Sequence, residues 1–208
     1  ANGVTREQCE ERKLEKGTFL FAVVEKTGAE TKSVLPDLLS RAITEIPWPK
    51  SMRWGAGEMR WVRSLERILC LFGGDVLTPV LRNEVPCGNT TSGHRFLAPE
   101  VFEVSDFADY SQKLRDSFVI LDRDERKSII RDGAKKAAAD EGLELREDPG
   151  LLDEVTGLVE WPVVMTGRID DDFMDVPDEV LITSMRSHQK YFSLLKSDGS
   201  LAPYFIVV

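Results

Sequence analysis

Apolar residues recur at the spacing of a helix in several stretches of the chain. The most regular stretch is Ser33–Ile46, where apolar positions return every three or four residues until Pro47 and Pro49 end the helix. Asp122 is placed to cap a long helix that reaches about Glu141. Shorter helices are predicted over Thr5–Lys16, Ser64–Phe72, Ser105–Ser117, Leu151–Val159 and Pro177–His188.

Short apolar runs bounded by turn-forming residues predict strands. Tyr191–Lys196 and Leu201–Val208 flank Ser197–Ser200, whose Asp-Gly pair is a strong hairpin signal. Pro86–Pro99 is rich in Gly, Asn and Ser, and it is predicted to be a loop. The remaining strands are predicted over Phe19–Val24, which we expect to be buried, and over Asp75–Arg82, Phe118–Leu121 and Pro162–Ile169.

This mixture of elements predicts an α+β fold, in which a mixed sheet is flanked by helices. We expect one compact domain over residues 1–208, with a division into two lobes near 100–118 as the alternative. No Met stands first, and the final run Phe205–Val208 continues a predicted strand to the last residue. We therefore expect the chain to be an internal piece of a longer protein.

The composition is that of a soluble globular protein, with 42% hydrophobic and 30% charged residues. Its apolar runs, such as Ile68–Phe72, are much shorter than the roughly 20 residues that a membrane-spanning helix needs. Cys9, Cys70 and Cys87 are widely spaced and odd in number, which favours a reducing compartment over a disulfide framework. The sequence therefore predicts a cytoplasmic protein without a membrane span.

The net charge of −9 argues against a protein that attracts nucleic acid through its overall charge. The charge is unevenly distributed, however, because acidic residues dominate the stretch 140–179. Basic residues outnumber acidic ones between Trp48 and Cys70, and the stretch 186–196 contains bases and no acid. Two small basic regions could therefore contact RNA locally.

The first basic region interleaves bases with aromatic residues. Lys50, Arg53 and Arg60 lie close to Trp54 and Trp61. Lysine and arginine side chains contact RNA phosphates, and exposed aromatic rings stack on unpaired nucleobases. Tryptophans that anchor a core are the alternative explanation of the same pattern.

His94 and Arg95 form a second candidate, in the Gly-rich loop after Ser92. A histidine beside an arginine could contact a phosphate or take part in acid–base chemistry. A histidine that only bonds its loop neighbours is the alternative.

The third candidate lies where the predicted helix that ends at His188 gives way to a strand. Arg186, His188 and Lys190 could grip a phosphate there, and Tyr191 could stack on a base. Alternatively, the basic side chains cap the C-terminus of the helix, and Tyr191 begins a core strand.

Other short patterns carry little chemical meaning. Gly55–Arg60 spells GxGxxR, which we interpret as a flexible loop. Cys87 and His94 lack the further ligands that a structural zinc needs, and Asp170–Asp172 is typical of a solvated acidic turn. No catalytic residue and no metal ligand is predicted in this chain.

Several longer segments resemble the β subunit of the bacterial two-subunit glycyl-tRNA synthetase. They are collinear and extend over nearly the whole chain. They comprise Pro49–Gly55, Gly88–Leu97, Leu151–Pro162, and Pro177–Leu181 continuing to His188–Phe192. The chain departs from the family pattern at Arg63–Leu65 and at Glu66–Arg67, which puts any role of that stretch in doubt.

The resemblance implies a fold similar to the editing-type domain of the phenylalanyl-tRNA synthetase β chain. It also implies membership in an aminoacyl-tRNA synthetase, a glycine–tRNA ligase built from two α and two β chains. The implied partners are tRNA-Gly, the α chain and the remainder of the β chain, with ATP and Mg²⁺ bound at the α chain and no cofactor in this piece.

Three roles remain open for this piece. The first is a domain that binds and positions tRNA, and the second is a structural module that docks against the α chain or the rest of β. The third is an editing hydrolase in which His94 or His188 positions a water. Glycine is the smallest amino acid, so a synthetic site can exclude larger ones sterically, which makes editing the least expected of the three.

Overall fold

The computed structural model of this chain describes residues 5–23, 27–81 and 85–208. The chain divides into two compact units. The described residues of unit 1 lie within Ala1–Ser64 and Leu77–Val85, and unit 2 comprises Leu65–Val76 and Pro86–Val208. Residues 100–118, where the alternative division into lobes is predicted, all belong to unit 2.

Unit 1 begins with a short 3₁₀ turn and a two-stranded hairpin. Strand β1 covers Cys9–Leu14 and pairs antiparallel with strand β2 at Gly17–Ala22. The helix predicted over Thr5–Lys16 is therefore wrong. That segment offers a helix too few apolar residues to build a buried face, and its backbone pairs instead with the apolar run of β2.

The strand predicted over Phe19–Val24 exists as β2, although Val24 lies outside the described residues. The prediction that it is buried is wrong. The side chains of Phe19 and Leu20 are exposed, because successive side chains of a strand point to opposite faces and this sheet has only two strands.

Helix α1 covers Thr31–Glu45 and confirms the helix predicted over Ser33–Ile46. It ends just before Pro47, as the helix-breaking chemistry of proline requires. None of its side chains is fully buried. After it, an isolated antiparallel bridge joins Met52 to Trp61 and closes a small loop.

Unit 2 contains ten short strands and four α-helices among the described residues, and a 3₁₀ helix at Asp171–Phe173. The strands are β3 Ile68–Leu69, β4 Leu71–Phe72, β5 Asp75–Val76, β6 Cys87–Gly88, β7 Thr90–Ser92, β8 Val101–Glu103, β9 Glu144–Leu145, β10 Met165–Arg168, β11 Phe192–Leu195 and β12 Leu201–Val207. The helices are α2 Phe107–Asp116, α3 Arg123–Asp140, α4 Pro149–Thr156 and α5 Asp178–Ser184, and α5 continues into a π-helical turn at Met185–Gln189.

A four-stranded sheet in the order β10-β12-β11-β9 organises the C-terminal half of unit 2, and its neighbouring strands all pair antiparallel. One face packs against α3 and α4. The fully buried side chains of that layer are Ile130, Ala134, Ala138, Leu151, Val155, Phe192, Leu194, Ala202 and Ile206. A smaller core of Ile169, Met185 and Leu201 includes side chains of α5 at its margin.

The smaller sheets contain both kinds of pairing. β3 pairs parallel with β6, whereas β4 with β5 and β7 with β8 are antiparallel hairpins. Parallel and antiparallel pairings thus lie in separate sheets of this unit. The likeness to the editing-type domain of the phenylalanyl-tRNA synthetase β chain stays a prediction.

The helix predicted over Ser64–Phe72 is wrong, because Ile68–Leu69 and Leu71–Phe72 are strands. Apolar runs this short cannot be assigned to helix or strand by their period alone. Gly73 and Gly74 both have positive φ and form the turn between β4 and β5, instead of ending a helix.

Other predicted boundaries need smaller corrections. Of Asp75–Arg82, only β5 is a strand, and Arg82 lies outside the described residues. The predicted loop Pro86–Pro99 contains the short strands β6 and β7. Phe118–Leu121 is not a strand: Phe118 has a φ of 59°, and Ile120 donates one backbone bond to the carbonyl of Glu160.

Local capping and turn signals predict the remaining elements well. Asp122 caps α3 by accepting a 2.7 Å hydrogen bond from the Glu125 N–H. The cap of α2 is Asp106, one residue after Ser105, where the predicted helix begins. The β11–β12 hairpin turns at the predicted Ser197–Ser200. Within the described parts of the chain, no helix is both long enough and apolar enough to span a membrane.

We expect Leu194→Ala to lower the free energy of unfolding by roughly 2–5 kcal/mol, because it leaves a cavity in the main core. Leu194 is 0% exposed, whereas Leu158, the matched control, is 65% exposed. Urea unfolding followed by circular dichroism measures both. Equal losses for Leu194→Ala and Leu158→Ala would contradict the assignment of this core.

Candidate RNA-binding surface

The candidate residues of unit 1 lie in the segment that follows α1. Arg60 is held in place, since its Nε donates to Ser51 Oγ at 3.1 Å and its Nη2 donates to the Ser51 carbonyl at 3.1 Å. Lys50 and Arg53 are exposed and form no ion pair with any residue that the structure describes. These two bases therefore keep their charge available.

Two tryptophans of this segment, Trp48 and Trp61, pack against each other. Trp48 and Trp61 meet edge to face with their ring centroids 4.9 Å apart. Backbone bonds of 2.8 and 3.1 Å between Met52 and Trp61 fix the position of Trp61. Trp54 and Trp61 are both half-buried, so neither acts as a fully buried anchor.

In unit 2, residues 93–97, which we call the His94 loop, follow strand β7. The His94 N–H donates to the Ser117 carbonyl at 2.8 Å. A Cβ on Gly93 would lie 2.3 Å from Ser117 Cβ, so only glycine allows this close approach. The start of the loop is therefore fixed against the C-terminal end of α2.

His94 also organises the loop with its own side chain. Its Nδ1 accepts hydrogen bonds from the backbone N–H groups of Phe96 and Leu97, both at 3.2 Å. A nitrogen that accepts two N–H groups carries no proton, so the ring proton is on Nε2. The interpretation of His94 as a residue that bonds its loop neighbours is confirmed by this geometry.

The tip of the His94 loop presents a cation beside an aromatic ring. Phe96 is 80% exposed, and the Arg95 guanidinium carbon lies 5.6 Å from the centroid of its ring. Arg95 pairs with no carboxylate of the described residues. An exposed ring with a cation next to it is the combination on which unpaired nucleobases stack.

Two basic side chains of the third candidate region form ion pairs with acidic residues. Arg186 Nε donates to Asp148 Oδ2 at 2.6 Å, and Lys190 Nζ lies 2.8 Å from Glu154 Oε1. Asp148 caps α4 and Glu154 lies within it. These two ion pairs tie the π-helical turn and its end to α4, so their positive charges are largely compensated within the unit.

The two remaining candidates of that region differ in their surroundings. Tyr191 stacks flat on Phe205, with centroids 4.4 Å apart and an angle of 5° between the rings. It borders the smaller core, which agrees with its interpretation as a core residue. The His188 side chain is exposed and has no hydrogen-bond partner among the described residues. RNA contact by any of the candidates stays a prediction.

The surroundings of Asp148 shift its pKa. Burial acts in the direction of a higher pKa, but hydrogen bonds from Arg186 and from the Leu151 N–H outweigh it, with help from the charges of Arg186 and Arg146. The pKa of Asp148 is therefore lowered, and the carboxylate stays charged beside Arg186 at neutral pH.

Neither an activated Cys70 or Cys87 nor a metal site is found among the described residues. Burial raises the pKa of the Cys70 thiol. Burial also raises the pKa of the Cys87 thiol, and the nearby Cys70 raises it further. Both cysteines are therefore thiols at neutral pH, which makes them weak nucleophiles. No group of three or more His, Cys, Asp or Glu side chains is placed to hold a metal ion among the described residues.

The sequence prediction missed Phe96, which is the most exposed aromatic ring of the His94 loop. The signal was its position directly after Arg95 in a Gly-rich loop. The prediction also missed Asp148 and Glu154 as partners of the third candidate region. No sequence signal identifies such partners, because Asp148 is separated from Arg186 by 38 positions.

We expect Arg186→Gln to lower the urea midpoint near neutral pH. The folded-state pKa of Asp148 lies below its unfolded value of about 3.9, so the pair stabilises fully above that value. This contribution is lost as the pH falls through the folded pKa. The difference in urea midpoint between the unchanged chain and Arg186→Gln should therefore become smaller in acid. Arg168→Gln, which removes the exposed pair with Asp171, is the control. A decrease in urea midpoint for Arg186→Gln that is the same in acid as at neutral pH would contradict the role of Asp148.

Comparison with known proteins identifies the family of the chain. The family model described as Glycyl-tRNA synthetase beta subunit matches residues 1–208. A protein of Rhodospirillum centenum named Glycine--tRNA ligase beta subunit is 51% identical, over 97% of this chain and 31% of that protein. Proteins of the same name from Cereibacter sphaeroides and Rickettsia akari are 48% and 40% identical over 100% of this chain, and over 30% and 31% of their own lengths. The chain spans about 30% of the length of these curated relatives. It belongs to the glycyl-tRNA synthetase beta subunit family.

Proposed function

We propose that this chain binds and positions tRNA within a glycine–tRNA ligase, and that the His94 loop makes the contact. The family supplies the substrate class, since its members are named for a ligase that acts on tRNA. The observation that supports this loop is the exposed ring of Phe96 with the Arg95 cation beside it, on a backbone that His94 holds in place.

The charge of the chain favours a stacking contact over a broad electrostatic one. With a net charge of −9, the chain cannot rely on bulk attraction to phosphate. Arg186 and Lys190 are paired with acids, and the Tyr191 ring is stacked on Phe205. Arg95 has no such partner among the described residues, so its charge is available to a ligand.

The fixed backbone also favours binding. A loop that is already ordered loses less conformational entropy when it meets a ligand. Gly93 and His94 supply that order through the contact with Ser117 and the two bonds to His94 Nδ1. Phe96 then points a rigid, two-torsion side chain outward at low entropic cost.

For the whole enzyme we propose the activity that the family implies. It joins glycine to tRNA-Gly in the cytoplasm with ATP and Mg²⁺ at the α chain, and this chain works together with the α chain and the remainder of β. We assign no catalytic step and no cofactor contact to residues of this chain.

We expect Phe96→Ala to weaken binding of tRNA-Gly by roughly fivefold to 150-fold, the range that the loss of one stacked base implies. Arg95→Gln should also reduce the slope of log affinity against log salt by about 0.7–0.9, as for one lost phosphate contact. Filter binding at several salt concentrations measures both effects.

Phe107→Ala is the matched control for this experiment. Phe107 is 74% exposed but lies at the other end of α2 from the His94 loop, so its loss should leave binding unchanged. Equal weakening by Phe96→Ala and Phe107→Ala would contradict the site. A chain without affinity for tRNA-Gly even at low salt would contradict the proposed function itself.

A second candidate function, a module that docks against the α chain or the rest of β, has its own support. The hairpin of unit 1 exposes Leu14, Phe19 and Leu20, and α1 has no fully buried side chain. Apolar side chains concentrated on a two-stranded hairpin are typical of an interaction surface.

For this second function we expect Leu20→Ser in the full-length β subunit to weaken its association with the α subunit. A polar group at an apolar interface loses burial without gaining a partner. Analytical size-exclusion chromatography of the mixed subunits measures the effect, with Leu158→Ser of unit 2 as the control. Unchanged association for both variants would argue against docking through this hairpin.

The editing alternative has less support from the geometry. His94 Nδ1 is occupied by two backbone N–H groups, which leaves Nε2–H as a donor only. A general base needs a free acceptor nitrogen, so His94 would have to give up both bonds. His188 has no group among the described residues that orients its ring.

A further inference from the structure

The side chain of His94 keeps one hydrogen-bond donor unused. Its Nδ1 accepts the backbone N–H groups of Phe96 and Leu97, so the ring proton is on Nε2. None of the residues that the structure describes accepts a hydrogen bond from Nε2. The loop backbone therefore holds a neutral donor in a fixed orientation and leaves it available to a ligand.

The bonds around His94 make Nε2–H a well-prepared donor. Two N–H groups at Nδ1 draw electron density from the ring, and hydrogen bonds that share one group polarise each other. The backbone of His94 is itself fixed, because its N–H donates to the Ser117 carbonyl at 2.8 Å and its carbonyl accepts from the Ala98 N–H at 2.9 Å. Little conformational entropy is therefore lost when Nε2–H meets an acceptor.

The imidazole of His94 lies beside the ring on which a nucleobase is proposed to stack. The ring centroids of His94 and Phe96 are 6.2 Å apart, and the two rings are inclined at 54°. A nucleobase stacked on Phe96 carries polar atoms along its edge, and a hydrogen bond spans about 2.9 Å beyond them. The edge of the stacked nucleobase is therefore within reach of Nε2–H, whereas the phosphate is separated from that edge by the ribose.

Burial and charge also favour a nucleobase over a phosphate as the acceptor. His94 is half-buried and its ring is neutral, whereas Arg95 is exposed and charged. A phosphate loses much hydration in a half-buried position, and it gains more from a charged donor at the surface. An uncharged nucleobase edge loses less hydration, so it fits the position of His94 better.

We propose that Nε2–H of His94 donates a hydrogen bond to an acceptor on the edge of the unpaired nucleobase that stacks on Phe96. This inference rests on the proposed function, and it adds a residue that recognises the nucleobase itself, whereas Arg95 binds the phosphate backbone. An amino group at that point of the edge would bring two donors together. The loop therefore selects a nucleobase that presents a ring nitrogen or a carbonyl oxygen there.

The variant His94→Asn separates this contact from the order of the loop. The asparagine Oδ1 can accept N–H groups two and three positions further along the chain, as in an Asx turn, but nothing replaces Nε2–H. We expect this variant to weaken binding of tRNA-Gly about twofold to twelvefold, the contribution of one net hydrogen bond. The slope of log affinity against log salt should stay the same, because the lost donor is neutral.

Filter binding at several salt concentrations measures the affinity and the slope for His94→Asn. Protection of the Phe96 and Leu97 amides against hydrogen exchange shows whether the loop keeps its two bonds in the variant. Arg95→Gln is the contrasting variant, since its loss of a charge lowers the salt slope.

Short RNA probes test the same contact without a change in the protein. Each probe has one nucleobase between abasic nucleotides, and that base is either uracil or its nonpolar isostere 2,4-difluorotoluene. Both rings can stack on Phe96, but only uracil presents good hydrogen-bond acceptors. By NMR titration we expect the unchanged chain to prefer uracil by about twofold to twelvefold, and His94→Asn to lose this preference. Phe107→Ala, the control, should keep it.

Three results would overturn this inference and leave the proposed function intact. The first is weaker binding of tRNA-Gly by Phe96→Ala but not by His94→Asn with a protected loop. The second is equal binding of the two probes by the unchanged chain. The third is a preference for uracil that His94→Asn retains. Unchanged binding of tRNA-Gly by Phe96→Ala would instead overturn the proposed function, and this inference with it.

Discussion

The burial of one sheet face beneath α3 and α4 is the interaction on which the rest of unit 2 depends. Ile130, Leu151, Leu194 and Ile206 are fully buried in this layer. Small residues allow the close packing: Ala134 and Ala138 face the sheet, and Gly133 lies where a Cβ would be 2.9 Å from Val164. Dense packing of this kind fixes the elements relative to each other.

That packing also decides how the charges of unit 2 are used. Because α4 packs on the core, Asp148 at its start and Glu154 within it reach two basic residues that follow α5. These are Arg186 in the π-helical turn and Lys190 directly after it. Arg186 and Lys190, which the sequence predicts to be available to RNA, thus form ion pairs that connect two elements of the fold. Arg95, on the His94 loop beside Phe96, has no such acidic partner among the described residues, so its charge stays available to a ligand.

Unit 1 is built differently. Its hairpin has two strands with apolar side chains exposed, and α1 buries none of its side chains fully. Local contacts order the segment after α1. They include the two hydrogen bonds from the Arg60 guanidinium to Ser51 and the edge-to-face packing of Trp48 on Trp61. A surface of this kind is suited to contact with other protein segments.

Much of the fold could be predicted from local signals. The Asp122 cap, the prolines after Glu45 and the Asp-Gly turn before β12 each act within a few residues, so α1, α3 and the C-terminal hairpin follow from the sequence. The short charged or apolar stretches at 5–16 and 64–72 could not be assigned this way. Their state depends on a partner strand, and the period of so few residues fits either structure.

The sequence by itself determined the family of the chain, because that depends on long collinear segments, and it placed the basic and aromatic residues in three groups. Only the tertiary structure decided what those residues do. It paired Arg186 with Asp148 across 38 positions, stacked Tyr191 on Phe205 and left Phe96 exposed. Charge and stacking energies depend on distance and burial in space, and the order of residues along the chain does not specify either.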